Sequence, residues 1–216
     1  MNGLQPVVVV GAGGHAKVVI ELIRAEGRYE VAALLDADAT PRRVLGVEVV
    51  GDDDALPRLR AEGLARAFIA LGGNALRLKV AGRARDLGFD LVNAISPAAV
   101  ISPTARIGAG VAVMAGAVVN AEARIGDLAI VNTNASIDHD CVLGEACHVA
   151  PGCALAGGVT VGRLAFLGIG TVAIPGVRIG DGAELGAGAC VVKDIRAGMR
   201  ALGVPARMVE TREDAR

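Results

Sequence analysis

A chain of 216 residues carries 22 Lys and Arg against 23 Asp and Glu, a formal net charge of −1. A balance this close to neutral argues against nucleic acid or a membrane surface as partner. Apolar residues make up 53% of the chain but aromatics only 2%, beside 30 glycines, so the core must be assembled from many small aliphatic pieces.

The N-terminus, MNGLQPVVVVGAGG, lacks the basic n-region and cleavage pattern of a signal peptide. PVVVV reads as a strand buried on both faces, closed by a glycine turn. HAKVVIELIRAEG has helical spacing and a glycine stop at Gly27. YEVAALLDAD reads as a second strand. DDDALPRLRAEG suggests a short helix entered through an aspartate cap, RAFIALGG a third strand, and NALRLKVAGRARDLG a long helix with Asn74 as cap. Strand and helix in alternation predict a parallel sheet with flanking helices over residues 1–93, a half-Rossmann-like α/β domain.

From residue 94 the period becomes six. Every sixth residue from Ile95 to Val191 is a branched aliphatic, except Ala173, and the residue two before each is small. Neither a helix nor an ordinary strand produces this; it is the hexapeptide signature of a parallel β-helix. Its repeats stack and bury one continuous aliphatic column. The second domain is therefore placed at 94–216. No uncharged apolar run is long enough to cross a bilayer, so no membrane span is expected. Four cysteines are too few for a disulfide framework and fit a reducing cytoplasm.

The register also orients the polar residues. The aliphatic and small positions face inward, so His139 and His148 project from the wall while Cys141, Cys147 and Cys153 point into the prism. A zinc set built from them cannot converge, and no metal is expected.

Asn132, the segment IDHDC (137–141) and His148 resemble the IEHEC region of the PglD/NeuD-type acetyltransferases, the nucleotide-aminosugar N-acetyltransferases and sialic acid O-acetyltransferases. GAGGHAKVV, LLDADA and LGGNALR resemble that family's N-terminal segments, and GVPARMV its closing one. The resemblance implies a left-handed prism with three hexapeptides per coil and a homotrimer with sites between subunits. It implies His139 as catalytic base, Asp140 as the residue that orients it, and the Gly157 amide, one coil on, as partner of the thioester oxygen. Asn132 and His148 would help hold the substrate, and Phe166, one coil above His148, would wall the cleft. Coenzyme A would run past Gly168, Ile169, Gly186 and Ala187, with Lys193, Arg196 or Arg207 near its phosphates.

In the first domain the pattern G-x-G-x-x-A, Gly11, Gly13 and Ala16, also fits a dinucleotide fingerprint. About 90 residues hold only half of such a fold, which argues against NAD chemistry. The resemblance assigns the turn to a nucleotide-sugar diphosphate instead. Gly13, Gly14 and His15 are the phosphate candidates, Asp36 lies by the base, and Asn74 and Arg77 are further contacts. The function expected is N-acetylation of a nucleotide-linked amino sugar by acetyl-CoA, with direct transfer to the amine. The rivals are a sialic-acid-type O-acetyltransferase and a β-helix that binds nucleotide sugar without turnover.

Overall fold

The structure is a computed structural model that describes residues 3–209. Residues 210–216, the end of the expected second domain, lie outside the described residues. Two compact units divide between Pro97 and Ala98.

The first unit is a four-stranded parallel sheet. Its order places β1 (Gln5–Val10) between β2 (Tyr29–Leu35) and a later strand of residues Arg66–Ile69, with Asp90–Leu91 at the far edge. Val7 to Val10 are all within 1% of complete burial, and each such valine contributes roughly 1.5–3 kcal/mol of apolar transfer. Helix α1 (Gly14–Glu26) buries Ala16, Val19, Ile20, Leu22 and Ile23, and ends at Gly27 in the left-handed conformation, φ 70°. A short hairpin pairs Arg43–Val44 with Val47–Glu48. Asp52 caps the next element through its carboxylate, which accepts from the Asp54 amide. That element is a 3-10 turn followed by α2 (Leu56–Ala61). Helix α3 (Asn74–Asp86) begins one residue earlier than an Asn74 cap requires: Gly73 holds the cap position, and Asn74 sits in the first turn.

The second unit is a β-helix whose two-residue strands pair in parallel with the strand three hexapeptides on, Val118 with Ser136, Ile130 with His148 and Val142 with Thr160. One face stacks the column Ile101, Val119, Ile137, Leu155, Ala173 and Val191. A second stacks Val113, Val131, Val149, Leu167 and Leu185, and a third Ile107, Ile125, Leu143, Val161 and Ile179. Ile101 and Ile107, on the first rungs, are only half-buried because the column starts there. The small positions are filled inward: Ala117, Ala135, Cys141, Cys147, Val159 and Thr171 have no exposed surface. Corners turn through a left-handed residue three after the aliphatic, such as Asn134, Asp140 and Leu164 at φ between 56° and 60°, or a glycine.

Candidate active site

The corner that follows Ile137 gathers Asp138, His139 and Asp140. Asp138 Oδ1 accepts the His139 amide at 2.7 Å and the Asn120 Nδ2 at 3.0 Å, which fixes the corner backbone. His139 Nδ1 lies 2.8 Å from Asp140 Oδ2. A carboxylate only accepts, so Nδ1 carries the proton and Nε2 keeps its lone pair. The hydrogen bond to Asp140, followed by the charge of Asp138, raises the imidazole pKa. Those same two bonds to Asp138, the His139 amide first, hold its carboxyl below the ordinary range. The His139 side chain is 61% exposed.

One coil on, Gly157 stands against the imidazole. A Cβ at that position would lie 2.5 Å from Cε1 and 2.6 Å from Nε2 of His139, so only glycine fits while the ring keeps this place. The adjacent Gly158 amide donates to the His139 carbonyl at 2.9 Å.

Asn132 does not reach His139. Its Oδ1 accepts the Thr133 amide at 2.8 Å and its Nδ2 lies 3.1 Å from His148 Nε2. An amide NH₂ only donates, so Nε2 accepts and the neutral His148 is protonated on Nδ1. Phe166 pairs with His148 across the strand ladder, and the rings meet edge to face with centroids 5.3 Å apart.

Beyond Phe166 a groove of about 280 Å³ runs along the same wall, lined by Phe166, Gly168, Ile169, Glu184, Leu185, Gly186, Ala187 and Arg200. It gathers the five cofactor candidates of this wall. Lys193, Arg196 and Arg207 are exposed elsewhere and do not line it. The basic group on the groove is Arg200, whose Nε lies 3.5 Å from Glu184 Oε2. Sequence reasoning missed Arg200 because the strand after Ile195 leaves the six-residue register.

In the first unit, Gly11 turns the chain sharply after β1 at φ 113°, and a Cβ there would strike the Ala70 carbonyl oxygen at 2.6 Å. Asp36 ties this turn to the end of β2: its Oδ2 accepts the Ala12 amide at 2.7 Å, its Oδ1 the Asp38 amide at 3.0 Å, and Arg42 lies 3.2 Å away. Gly13 and Gly14 face open space, and no side chain caps α1, which leaves its first amides without a side-chain partner. His15 does not cap the helix. Burial, and then the charge of Arg77, lowers its pKa to about 4, and its Nε2 is buried without a protein partner among the described residues.

Arg77 lies beneath its loop and not on the surface. Only 1% exposed, it donates to the carbonyls of Leu71 and Gly72 and to Asn74 Oδ1 at 2.9–3.2 Å. It therefore shapes the loop before α3 from beneath, and Asn74 is held by it. A hollow of about 550 Å³ beside the Arg43–Glu48 hairpin contains none of the phosphate candidates.

Among the described residues, no three His, Cys, Asp or Glu side chains converge to hold a metal ion. No helix among them is long and apolar enough to cross a membrane.

A left-handed β-helix with an outward imidazole held by a carboxylate, and a narrow groove along another of its walls, is the architecture of the hexapeptide-repeat acyltransferases. The family model of the PglD N-terminal domain matches residues 6–84. The GDP-perosamine N-acetyltransferase of Caulobacter crescentus, solved as a histidine-to-alanine mutant with CoA and GDP-perosamine, is 59% identical. It superposes with a TM-score of 0.93 over 95% of this chain and 97% of that one. The acetyltransferase domain of PglB from Neisseria gonorrhoeae FA1090, in complex with acetyl coenzyme A, is 40% identical, with a TM-score of 0.91 over 96% and 100% of the two chains. A UDP-N-acetylbacillosamine N-acetyltransferase of Bacillus subtilis (strain 168) is 37% identical over 114 residues. That alignment takes in 52% of each chain, so the match spans about half the length of this curated relative. The chain belongs to the PglD/NeuD-type family of hexapeptide-repeat acetyltransferases.

Proposed function

We propose that the protein transfers the acetyl group of acetyl-CoA to the amine of a nucleotide-linked amino-deoxysugar, with the first unit holding the nucleotide sugar and the second carrying the chemistry. The observation that carries this reading is the His139–Asp140 pair facing Gly157 across one coil. Its support from relatives is the 59% identical enzyme, of which complexes with CoA and GDP-perosamine include two histidine mutants.

The neutral sugar amine attacks the thioester carbonyl. His139 Nε2 takes the amine proton as the tetrahedral centre forms, and Asp140 steadies the imidazolium through Nδ1. The Gly157 amide donates to the developing oxyanion, an interaction worth about 3–4 kcal/mol where it has been removed in other enzymes. Collapse breaks the carbon–sulfur bond, and the imidazolium returns its proton to the departing CoA thiolate. No covalent enzyme intermediate is needed, and the buried thiols of Cys141 and Cys153, raised in pKa chiefly by desolvation, are poor nucleophiles. The groove beside Phe166 would hold the pantetheine arm, with Arg200 nearest its charged end. In the first unit, the open turn at Gly13 and Gly14 would take the diphosphate, His15 would act as a neutral hydrogen-bonding partner, and Asp36 would lie by the base. An imidazole 61% exposed needs a covering surface to exclude water from the reacting atoms. A second copy of the chain in a homotrimer would supply it.

The test is release of free thiol from acetyl-CoA with a panel of nucleotide amino sugars led by GDP-perosamine, run beside His139→Ala. Release with an amine acceptor but not with hydroxyl-only sugars supports the reading. Equal release by the alanine variant removes His139 from the role of base. Sedimentation of the purified chain decides the oligomer.

A further inference from the structure

The outward amides of the prism corners differ in how they are satisfied. Those of Thr133, His139 and Arg163 are capped by carboxylate or amide oxygens, from Asn132 at 2.8 Å, Asp138 at 2.7 Å and Asp181 at 2.9 Å. The amides of Gly157, Ile169 and Ala187 have no protein acceptor among the described residues. The residue before each is Ala156, Gly168 or Gly186, which has no side chain able to cap it. Gly157 stands at His139, and Ile169 and Ala187 line the groove; the corner amides of Ala115, Ala121 and Asp181 likewise have no protein acceptor among the described residues.

Beneath each of Gly157, Ile169 and Ala187, a buried donor lies against the preceding carbonyl from inside the prism. Cys141 Sγ donates to the Ala156 oxygen at 3.2 Å. Cys153 Sγ donates to the Gly168 oxygen at 3.2 Å, and Thr171 Oγ1 to the same oxygen at 2.8 Å. Thr171 Oγ1 also lies 3.4 Å from the Gly186 oxygen. A peptide group is planar and trans, so a carbonyl drawn inward sends the following N–H outward. Most inward small positions are alanine and cannot do this. Burial keeps both thiols protonated, and therefore able to donate, at neutral pH.

We propose that Cys141, Cys153 and Thr171 are positioning residues. From the core they hold the 156–157, 168–169 and 186–187 peptides so that three open amides face the acyl donor, Cys141 serving the oxyanion and the other two the cofactor arm. This deepens the proposed function and rests on its assignment of the Gly157 amide.

The experiment compares Cys141→Ala, Cys141→Ser, Thr171→Val and His139→Ala in the full-length enzyme, with Cys147→Ala as control. Cys147 is equally buried, but the corner amide in the matching place above it, that of Arg163, is already capped by Asp181. Each variant is assayed well below its measured unfolding temperature. Cys141→Ala is expected to lower kcat about tenfold, less than loss of a whole oxyanion donor, with the KM for acetyl-CoA within about twofold of wild type. Cys141→Ser, which restores a donor, recovers most of that loss. Thr171→Val raises the dissociation constant for CoA about threefold to tenfold with kcat little changed, and Cys147→Ala changes neither. Wild-type kcat in Cys141→Ala beside an inactive His139→Ala overturns the inference and leaves the proposed function intact. An equal loss in Cys147→Ala, or a serine variant no better than alanine, also overturns it. Wild-type activity in His139→Ala instead overturns the reading on which it rests.

Discussion

Gly157 faces His139 across the coil with no room for a side chain: a Cβ there would stand 2.6 Å from Nε2. Gly157→Ala must push the imidazole aside or lift the coil, so the base and the oxyanion donor lose their common register. The expected result is a fall in kcat of about 10²–10³, the scale of a lost oxyanion donor, with unfolding temperature nearly unchanged because the ring is exposed and free to move. Steady-state kinetics beside a thermal melt check this; a variant that keeps wild-type kcat contradicts the shared site.

Asp140 raises the His139 pKa by accepting its Nδ1 proton. The base works only when neutral, so activity should rise with pH through that elevated value. Asp140→Asn removes the charge and moves the acid limb of kcat/KM to lower pH, while kcat on the plateau falls because the imidazolium loses its partner. The Asp138 charge remains beside the ring, so the limb does not fall as far as full loss of both carboxylates would take it. A limb unmoved by Asp140→Asn would show that another group sets it.

His15 titrates near 4 when folded, against 6.5 for an ordinary histidine. Between these values the unfolded chain binds a proton that the folded chain refuses, so stability falls as pH drops from about 6.5 toward 4. Below the lower value both states are charged and the loss is complete. His15→Gln should flatten the dependence of unfolding temperature on pH across that window and leave it alone above pH 7. An unchanged slope would place the titrating group elsewhere.

Arg77 donates to two loop carbonyls and to Asn74 Oδ1 from a site 1% exposed. Arg77→Met keeps much of the stem volume but leaves buried acceptors without those donors, a loss on the order of 3 kcal/mol. The measurable outcome is a lower urea midpoint with unchanged slope. Removing the positive charge also weakens one of the two causes that depress His15, so that histidine should titrate at higher pH, which histidine ring NMR signals report directly.

Much of this protein was legible as a linear pattern. A hexapeptide period says which residues face in because the coil repeats its own geometry, so the outward placement of His139 and the inward placement of Cys141 followed from counting. Gly157 over His139 followed from the coil of three hexapeptides that family resemblance supplied. The βαβ alternation and the Gly11 turn were legible because buried strands and helix stops depend on local residue type. What counting did not reach was partner choice. Asn132 turns to His148 instead of His139, Arg77 goes under its loop to the Leu71 carbonyl, and Arg200 enters the groove from beyond the repeat. The thiols of Cys141 and Cys153 take up backbone carbonyls that spacing never singled out. Period determines the direction in which a side chain leaves the backbone. Which atom it meets depends on rotamers and on neighbours a full coil away in sequence, and those distances exist only once the coils are stacked.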